Sequence, residues 1–397
     1  RDDGNDVLWI HAVSVGETRA VAPLIERLLR EDRRPTVLLT HMTATGRETG
    51  RALFGDRVVQ AWLPYDIPFA VRRFLTHFRP RAGLLVETEL WPNLTAAAAR
   101  IGVPLFLINA RLSERSARGY SKIESLARPL VRTLAGVAAQ TQDDARRLRA
   151  LGAQEIVVTG NLKFDVDVPA AMRERGREFR ERFGSDRPIL VLASTREGEE
   201  ALLLDALARS ILPKRALVVI VPRHPQRFDT VAALLTERRL AFVRRSEAGA
   251  VPTDIGVVLG DSMGEMFAYY TAADVAFVGG SLLPFGGQNL IEPISAGAPT
   301  LIGPHTFNFA QASETGVAAG AVLRIQDADE LFTCAGRLLD DAPARERMRA
   351  SAEVFLAAHR GAVDRLWAWL APRIAAIPAT GDSHPRDPAR RASRPPT

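Results

Sequence analysis

Three short stretches of this chain carry residue types suited to chemistry. VPRHP places Arg223 directly after an apolar run and before His224-Pro225. A planar guanidinium there can hold a phosphate through two N–H donors, and a surface arginine in a turn has the same local sequence. GGSLLPFGGQNLIEP, starting at Gly279, sets two glycine pairs ahead of a helix start. Exposed backbone N–H groups in such a place suit an anion. Within it Glu292 follows Asn289 by three residues. An acid there can accept hydrogen bonds from ribose hydroxyls, or can simply complement the helix dipole. WIHAVSVGET, residues 9–18, runs as a buried strand, turns at Gly16 and leaves an acid, Glu17, at the corner where a helical pattern begins. Position alone explains Glu17 as a helix-start acid.

Other chemistries lack their residues. No G-x-G-x-x-G or G-x-x-x-x-G-K-[ST] occurs, so neither a dinucleotide fingerprint nor a P-loop is supported. No G-x-S-x-G elbow marks an α/β-hydrolase. The seven histidines are scattered, without H-x-x-x-H or H-E-x-x-H, and the single cysteine, Cys334, excludes an internal disulfide and a Cys cluster for zinc. No metal site is expected.

The elements that must position these residues follow from the apolar pattern. Strands are expected at 7–13, 36–40, 58–63, 83–87, 104–108, 136–140 and 156–159, and again at 188–193, 216–221, 256–259, 275–278 and 299–302. Near-continuous apolar strands alternating with helices mean parallel sheets covered on both faces. Two such blocks mean an α/β chain of two doubly wound, Rossmann-like domains, with ligands beyond the carboxyl ends of the strands and a cleft between the domains. The expected boundaries are 1–170, 171–375 and a tail, 376–397, whose Pro, Arg, Ser and Asp cannot build a core and should be disordered. MRERGREFRERFGSDRP reads as an exposed helix and turn at the join, and 345–371 as one long helix docked by Trp367 and Trp369.

With 397 residues, 47% hydrophobic and 25% charged, the composition is globular. The net charge of +6 is uneven: residues 1–165 carry 24 Lys/Arg against 18 Asp/Glu, and residues 166–375 carry 24 against 26. The first half therefore suits an anionic partner such as a phosphorylated lipid or a membrane surface, or else reflects solvated Arg-rich helix faces. A nucleic-acid surface would need interleaved exposed aromatics, and only 7% of residues are aromatic. No apolar run is long enough to span a membrane.

SVGE, TATGRE, LPYD, ETELWPNL, NARLSERSARGY, TGNLKFD, STREGEE, VPRHPQRF, GDSMGE, FVGGSL, GGQN and GPHTFNF occur in order over residues 9–310. In this the chain resembles the 3-deoxy-D-manno-oct-2-ulosonic acid (Kdo) transferases of lipopolysaccharide synthesis, inverting glycosyltransferases of GT-B fold. The resemblance implies CMP-Kdo as donor, lipid IVA as acceptor through its 6′-hydroxyl, and no cofactor. It implies that Glu17 is the proton acceptor and that Glu87 and Lys163 stabilise the transition state; the helix N-terminus should in addition favour the ionised form of Glu17. Pro222 and Arg223 would contact the CMP phosphate. Met263, Gly264 and Glu265 would line the cytidine pocket, and Asn289, Leu290, Ile291 and Glu292 would hold ribose and phosphate. Family members carry a hydrophobic anchor before the SVGE strand, so the cytoplasmic face of the bacterial inner membrane is the expected location, through an anchor that precedes Arg1. We add Arg111, Arg115, Arg118 and Lys122 as contacts to acceptor phosphates or the membrane surface.

One departure stands out. Relatives often carry GGHN where this chain has Gln288, which keeps hydrogen-bonding capacity and loses titration. Two other readings share the fold: a different GT-B nucleotide-sugar enzyme, epimerase or transferase, and a non-catalytic nucleotide-binding membrane scaffold.

Overall fold

The computed structural model describes residues 6–378 apart from positions 33 and 248. Its apolar runs form two parallel sheets. The first contains β1 (Val7–His11), β2 (Thr36–His41), β3 (Val59–Trp62), β4 (Ala82–Val86), β5 (Leu105–Ala110), β6 (Gly136–Ala139) and β7 (Ile156–Val158), in the order β3-β2-β1-β4-β5-β6-β7. The second contains β8 (Ile189–Thr195), β9 (Leu217–Pro222), β10 (Phe242–Arg244), β11 (Val257–Leu259), β12 (Val275–Val278), β13 (Thr300–Ile302) and β14 (Val322–Arg324), in the order β10-β11-β9-β8-β12-β13-β14. All twelve expected strands are present. The two that were not expected, β10 and β14, are three-residue edge strands that each end in an arginine, so their apolar run is shorter than that of β7, an edge strand of the same length whose three residues are all apolar.

Alternate residues of one strand serve two cores. In β1 every residue is buried; Leu8 and Ile10 enter one cluster, with Val37 and Leu84, while Val7 and Trp9 enter the other, with Leu38 and Leu85. The pairing Leu8↔Val37 and Leu8↔Ala82 sets this register, and a slip of one residue would exchange the two faces. Trp9 is fully buried, and its indole N–H is satisfied by Thr40 Oγ1 at 2.8 Å.

The chain divides into two compact units. One runs to Asp165 and takes up the chain again from His359; the other is Val166–Ala358. This differs from the sequence reading in four places. The expected long helix is two, Ala342–His359 and Ala362–Ala375, broken where Gly361 adopts a left-handed conformation. The second of them belongs to the first unit, not the second. Asp165 accepts the N–H groups of Gly361 (2.6 Å) and Val363 (2.5 Å), and Trp369 meets Phe106 edge-on with centroids 5.8 Å apart. The helix Ala170–Phe183, read as exposed, buries Phe179 and Phe183, with Phe179 against Tyr269. At the C-terminus Ala376 still caps a helix and Ile377 packs against the core; the rest of the expected tail, from 379, lies outside the described residues.

Candidate functional site

In a doubly wound sheet the crevice opens where the strand order reverses. In the first unit that point lies between β1 and β4, and the residues after these two strands are Ser14 to Glu17 and Glu87 to Leu90.

Ser14 is the N-cap of the helix Val15–Leu28, and its Oγ accepts from the Glu17 N–H. Glu17 answers with both oxygens: Oε2 accepts from the Val13 N–H at 2.7 Å and Oε1 from the Ser14 hydroxyl at 2.9 Å. Ser14 and Glu17 thus cap the helix reciprocally, as in a capping box except that the acid reaches the N–H of Val13, one residue before the cap, which accounts for an acid at this corner on structural grounds. Yet the carboxyl is not in the state a helix start alone would impose. Burial, and then the charge of Glu87, outweigh the two hydrogen bonds and raise it from 4.5 to about 7. The sequence expectation of a carboxylate held ionised by the helix dipole is corrected here: desolvation wins.

Three other motifs build the same corner. Thr43 of TATGRE caps the helix Ala44–Phe54 and donates its hydroxyl to Val13 O at 2.8 Å. Gly46 lets that helix approach, because a Cβ there would stand 2.8 Å from Val13 O. After β4, Glu87 turns the backbone through a left-handed conformation, φ +64°, and its Oε1 meets Lys163 Nζ at 2.6 Å. Lys163 is delivered by Asn109, whose Oδ1 accepts the Leu162 N–H, and by Asn161, which accepts the Lys163 N–H. LPYD and ETELWPN are joined by Asp66, which accepts the N–H groups of Asn93 and Leu94 and so caps the helix Pro92–Arg100. Trp91 Nε1 donates to Glu89, a half-buried acid pushed up by burial and by Glu87. Glu17, Glu87 and Lys163, proposed from different parts of the chain, are therefore in one unit at one switch point, and Glu89 joins them. Sequence reasoning passed over Glu89, although it lies inside a quoted motif.

The other basic candidates of this unit lie on and around the segment that follows β5. Ser113 caps the helix Glu114–Ser121, which carries Arg115 and Arg118 on exposed positions; Arg118 lies 3.6 Å from Glu114. Lys122 is exposed at its end, and Arg111 is half-buried after β5.

In the second unit the order reverses between β8 and β12. The loops there are STREGEE and GGSLLPFGGQN. Glu199, fully buried, accepts the N–H groups of Arg196 (2.9 Å), Gly280 (2.7 Å) and Leu282 (2.9 Å), so one carboxylate fastens both loops. Glu200 pairs with Arg227, with Nε and Nη2 at 3.2 and 3.0 Å. Arg223 follows β9; its N–H donates to Thr195 O, and its Nε donates to Gln288 Oε1 at 3.3 Å. Asn308 of GPHTFNF donates to Phe285 O at 3.0 Å and steadies the glycine loop.

The proposed nucleotide residues do not contribute alike. Asn289 Nδ2 donates to Glu292 at 3.3 Å, and its Oδ1 accepts the Ile291 N–H. Leu290 and Ile291 are core residues, 1% and 0% exposed, so their side chains cannot line a ligand surface. Pro222 is the buried last residue of β9. Met263 is exposed and Gly264 is left-handed, whereas Glu265 Oε1 is bound by Arg175 at 2.9 Å and Arg245 at 2.8 Å. Glu265 thus acts first as the anchor of its own loop. Among the described residues no group of three or more His, Cys, Asp or Glu side chains converges as a metal would need.

The architecture is shared with solved GT-B structures. A UDP-N-acetylglucosamine 2-epimerase of Listeria monocytogenes described as putative aligns with a TM-score of 0.60 at 14% identity, over 94% of this chain and 98% of that one. An Anabaena protein, HepE, crystallised with UDP, aligns at 0.61 and 13%, over 93% and 99%. Sequence similarity is narrower. Residues 1–166 match the family model described as 3-deoxy-D-manno-octulosonic-acid transferase (kdotransferase). The 3-deoxy-D-manno-octulosonic acid transferase of Bordetella pertussis is 48% identical over 91% of this chain and 87% of its own length. That of Haemophilus influenzae is 37% identical over 92% and 87%. Identity of that depth along both units shows that this chain belongs to the 3-deoxy-D-manno-octulosonic acid transferase family.

Proposed function

We propose that the chain transfers Kdo from CMP-Kdo to a hydroxyl of lipid IVA in lipopolysaccharide synthesis, with inversion at the sugar carbon. The observation that carries this reading is the Glu17 corner: a carboxyl raised to about 7 beside the Glu87–Lys163 pair. A sugar hydroxyl is a poor nucleophile and needs a base whose pKa lies near the working pH. The acceptor oxygen attacks the anomeric carbon, the bond from that carbon to the phosphate oxygen breaks, CMP departs with the electron pair, and Glu17 takes the hydroxyl proton. Direct displacement by one base requires no covalent enzyme intermediate. Glu87 offers negative charge to an oxocarbenium-like carbon, and Lys163 fixes that carboxylate. Arg223 supplies the phosphate contact, since its planar fork suits a phosphate leaving group. The reaction so written uses no cofactor besides the donor.

A membrane-bound acceptor fits the surface of the first unit. Tyr65 and Phe69 are 76% and 73% exposed, and Arg72 and Arg73 line a hollow beside Phe69. Such mixed aromatic and cationic surfaces favour anionic lipid interfaces. No described helix is long and apolar enough to cross a membrane. We place the protein at the cytoplasmic face of the inner membrane, with Arg111, Arg115, Arg118 and Lys122 as acceptor or lipid contacts.

The test is CMP release from freshly generated CMP-Kdo, with and without lipid IVA in detergent, beside Glu17→Gln, with products weighed by mass spectrometry. Acceptor-dependent release that the substitution abolishes is the expected result, and the product mass counts the Kdo units. A folded protein that releases no CMP with lipid IVA refutes the reading.

A further inference from the structure

At the second switch point the basic groups are not equally compensated. Arg227 is held by Glu200 through two hydrogen bonds. Arg196 is different. Its backbone N–H is fastened to Glu199, but all three hydrogen bonds just described at Glu199 come from backbone amides, so that carboxylate does not reach the Arg196 side chain. The guanidinium lies 4.7 Å above the ring of Phe285, and among the described residues it has no carboxylate partner. Stacking uses the face of the guanidinium and leaves its in-plane N–H donors available.

The backbone is shaped to present this side chain. Ser194 is left-handed, φ +54°, and the β8–β9 register shifts between Ala193 and Thr195. An irregularity of this kind next to a site re-aims the residue that follows. The stem of Arg196 passes Gly280, where a Cβ would lie 3.5 Å from its Cγ and 3.1 Å from Gln288 Nε2. Gln288 in turn accepts from Arg223 Nε. Arg196 and Gln288 thus flank one glycine of the loop after β12, and Gln288 links that point to Arg223. His224, next along, is pushed below its usual value by burial and then by the charges of Arg196, Arg223 and Arg227, as expected where positive charge accumulates.

A donor made of one phosphate and an acidic sugar carries two separate anions, and one arginine cannot fork both. Resting on the reading given under Proposed function, we propose that Arg196 is a specificity-determining residue. Its guanidinium takes the carboxylate of the sugar, while Arg223 takes the phosphate of the nucleotide. Gln288 spaces the two.

The experiment compares two ligands, one that carries the acidic sugar and one that lacks it. KM for CMP-Kdo and the inhibition constant of CMP are measured on the full chain for wild type, Arg196→Gln, Arg196→Lys and Arg223→Gln. For Arg196→Gln the expected result is a KM raised about 10–100-fold, as for loss of a charge-assisted bidentate contact, with CMP inhibition unchanged within twofold. Arg196→Lys should fall between, and Arg223→Gln should weaken both ligands. An unchanged KM in Arg196→Gln overturns the proposal, and so does a parallel rise of both constants, which would make Arg196 a phosphate ligand. Should Arg196→Gln fail to fold, Arg196→Lys carries the same split, with inhibition by free Kdo as the second readout. A wild type that transfers nothing from CMP-Kdo defeats the functional reading itself, and the proposal with it. An active wild type with an unmoved split defeats the proposal alone.

Discussion

The two units repeat one design and differ in what they place at its focus. Both have seven parallel strands, and in both the order reverses after the first strand of the sheet. Around the first reversal stand Glu17, Glu87 and Glu89, with Lys163 paired to Glu87. Around the second stand Arg196, Arg223, His224 and Arg227, with Glu200 paired to Arg227. The bulk charges run the other way: the acidic focus belongs to the basic half of the sequence, and the basic focus to the acidic half. Net charge is summed over solvated helix faces, where each charge is cheap. The chemistry depends on a few groups taken out of water, where each charge is expensive. Under the proposed function, proton transfer would fall to the first unit and anion recognition to the second.

The hardest blow to that division of labour is Glu17→Gln. It should lower kcat about 10³-fold, as for loss of a general base, and leave CMP inhibition intact; a matching loss of CMP affinity would dissolve the comparison. Next is Lys163→Met, which strips Glu87 of its partner and should cost about 10²-fold in kcat with little change in donor KM. Arg223→Gln should do the reverse, raising donor KM about tenfold or more while the pH profile keeps its shape.

Finer tests concern the acid limb. With Glu17 as the ionised base proposed above, kcat/KM should fall tenfold per pH unit below about 7 and level off above it. Glu89→Gln removes a neighbouring negative charge and should move the limb to lower pH. Ser14→Ala removes a hydrogen bond that favours the carboxylate and should move it higher. The same linkage governs stability. Between pH 4.5 and 7 the folded protein keeps a proton that the unfolded chain has released, so stability falls as pH rises through that window and is level above it. Thermal midpoints of Glu17→Gln should therefore gain on wild type between pH 4 and pH 8. The smallest effect is the cap itself: Ser14→Ala should cost about 1 kcal/mol in denaturant melts.

Much of this was legible in advance, for identifiable reasons. Most of the twelve strands could be read because buried parallel strands are near-continuously apolar, as in β4 and β9. β10 and β14 could not, since each ends in an arginine that cuts its apolar run to two residues, whereas the equally short edge strand β7 is apolar throughout. The ordered motifs carried Glu17, Glu87, Lys163 and Arg223 into view. They did not reveal that Leu290 and Ile291 point into the core, or that Glu265 is bound by Arg175, 90 residues earlier. Nor did they single out Glu89 or Arg196, whose interest lies in their neighbours and not in their spacing.

The sequence by itself determined the doubly wound class, the order of the motifs and the family to which they belong, because periodicity and residue identity are local properties of a chain. Only the tertiary structure decided the proton affinity of Glu17, the return of the last helix to the first unit, and the contrast between Arg227, which has a carboxylate partner, and Arg196, which has a ring. Each of these is a balance between desolvation and contacts made across long separations in the chain. Glu87 and Lys163 are 76 residues apart, and Gly280 and Glu199 are 81. Such a balance exists only once the sheets have brought those residues to the same end of their strands.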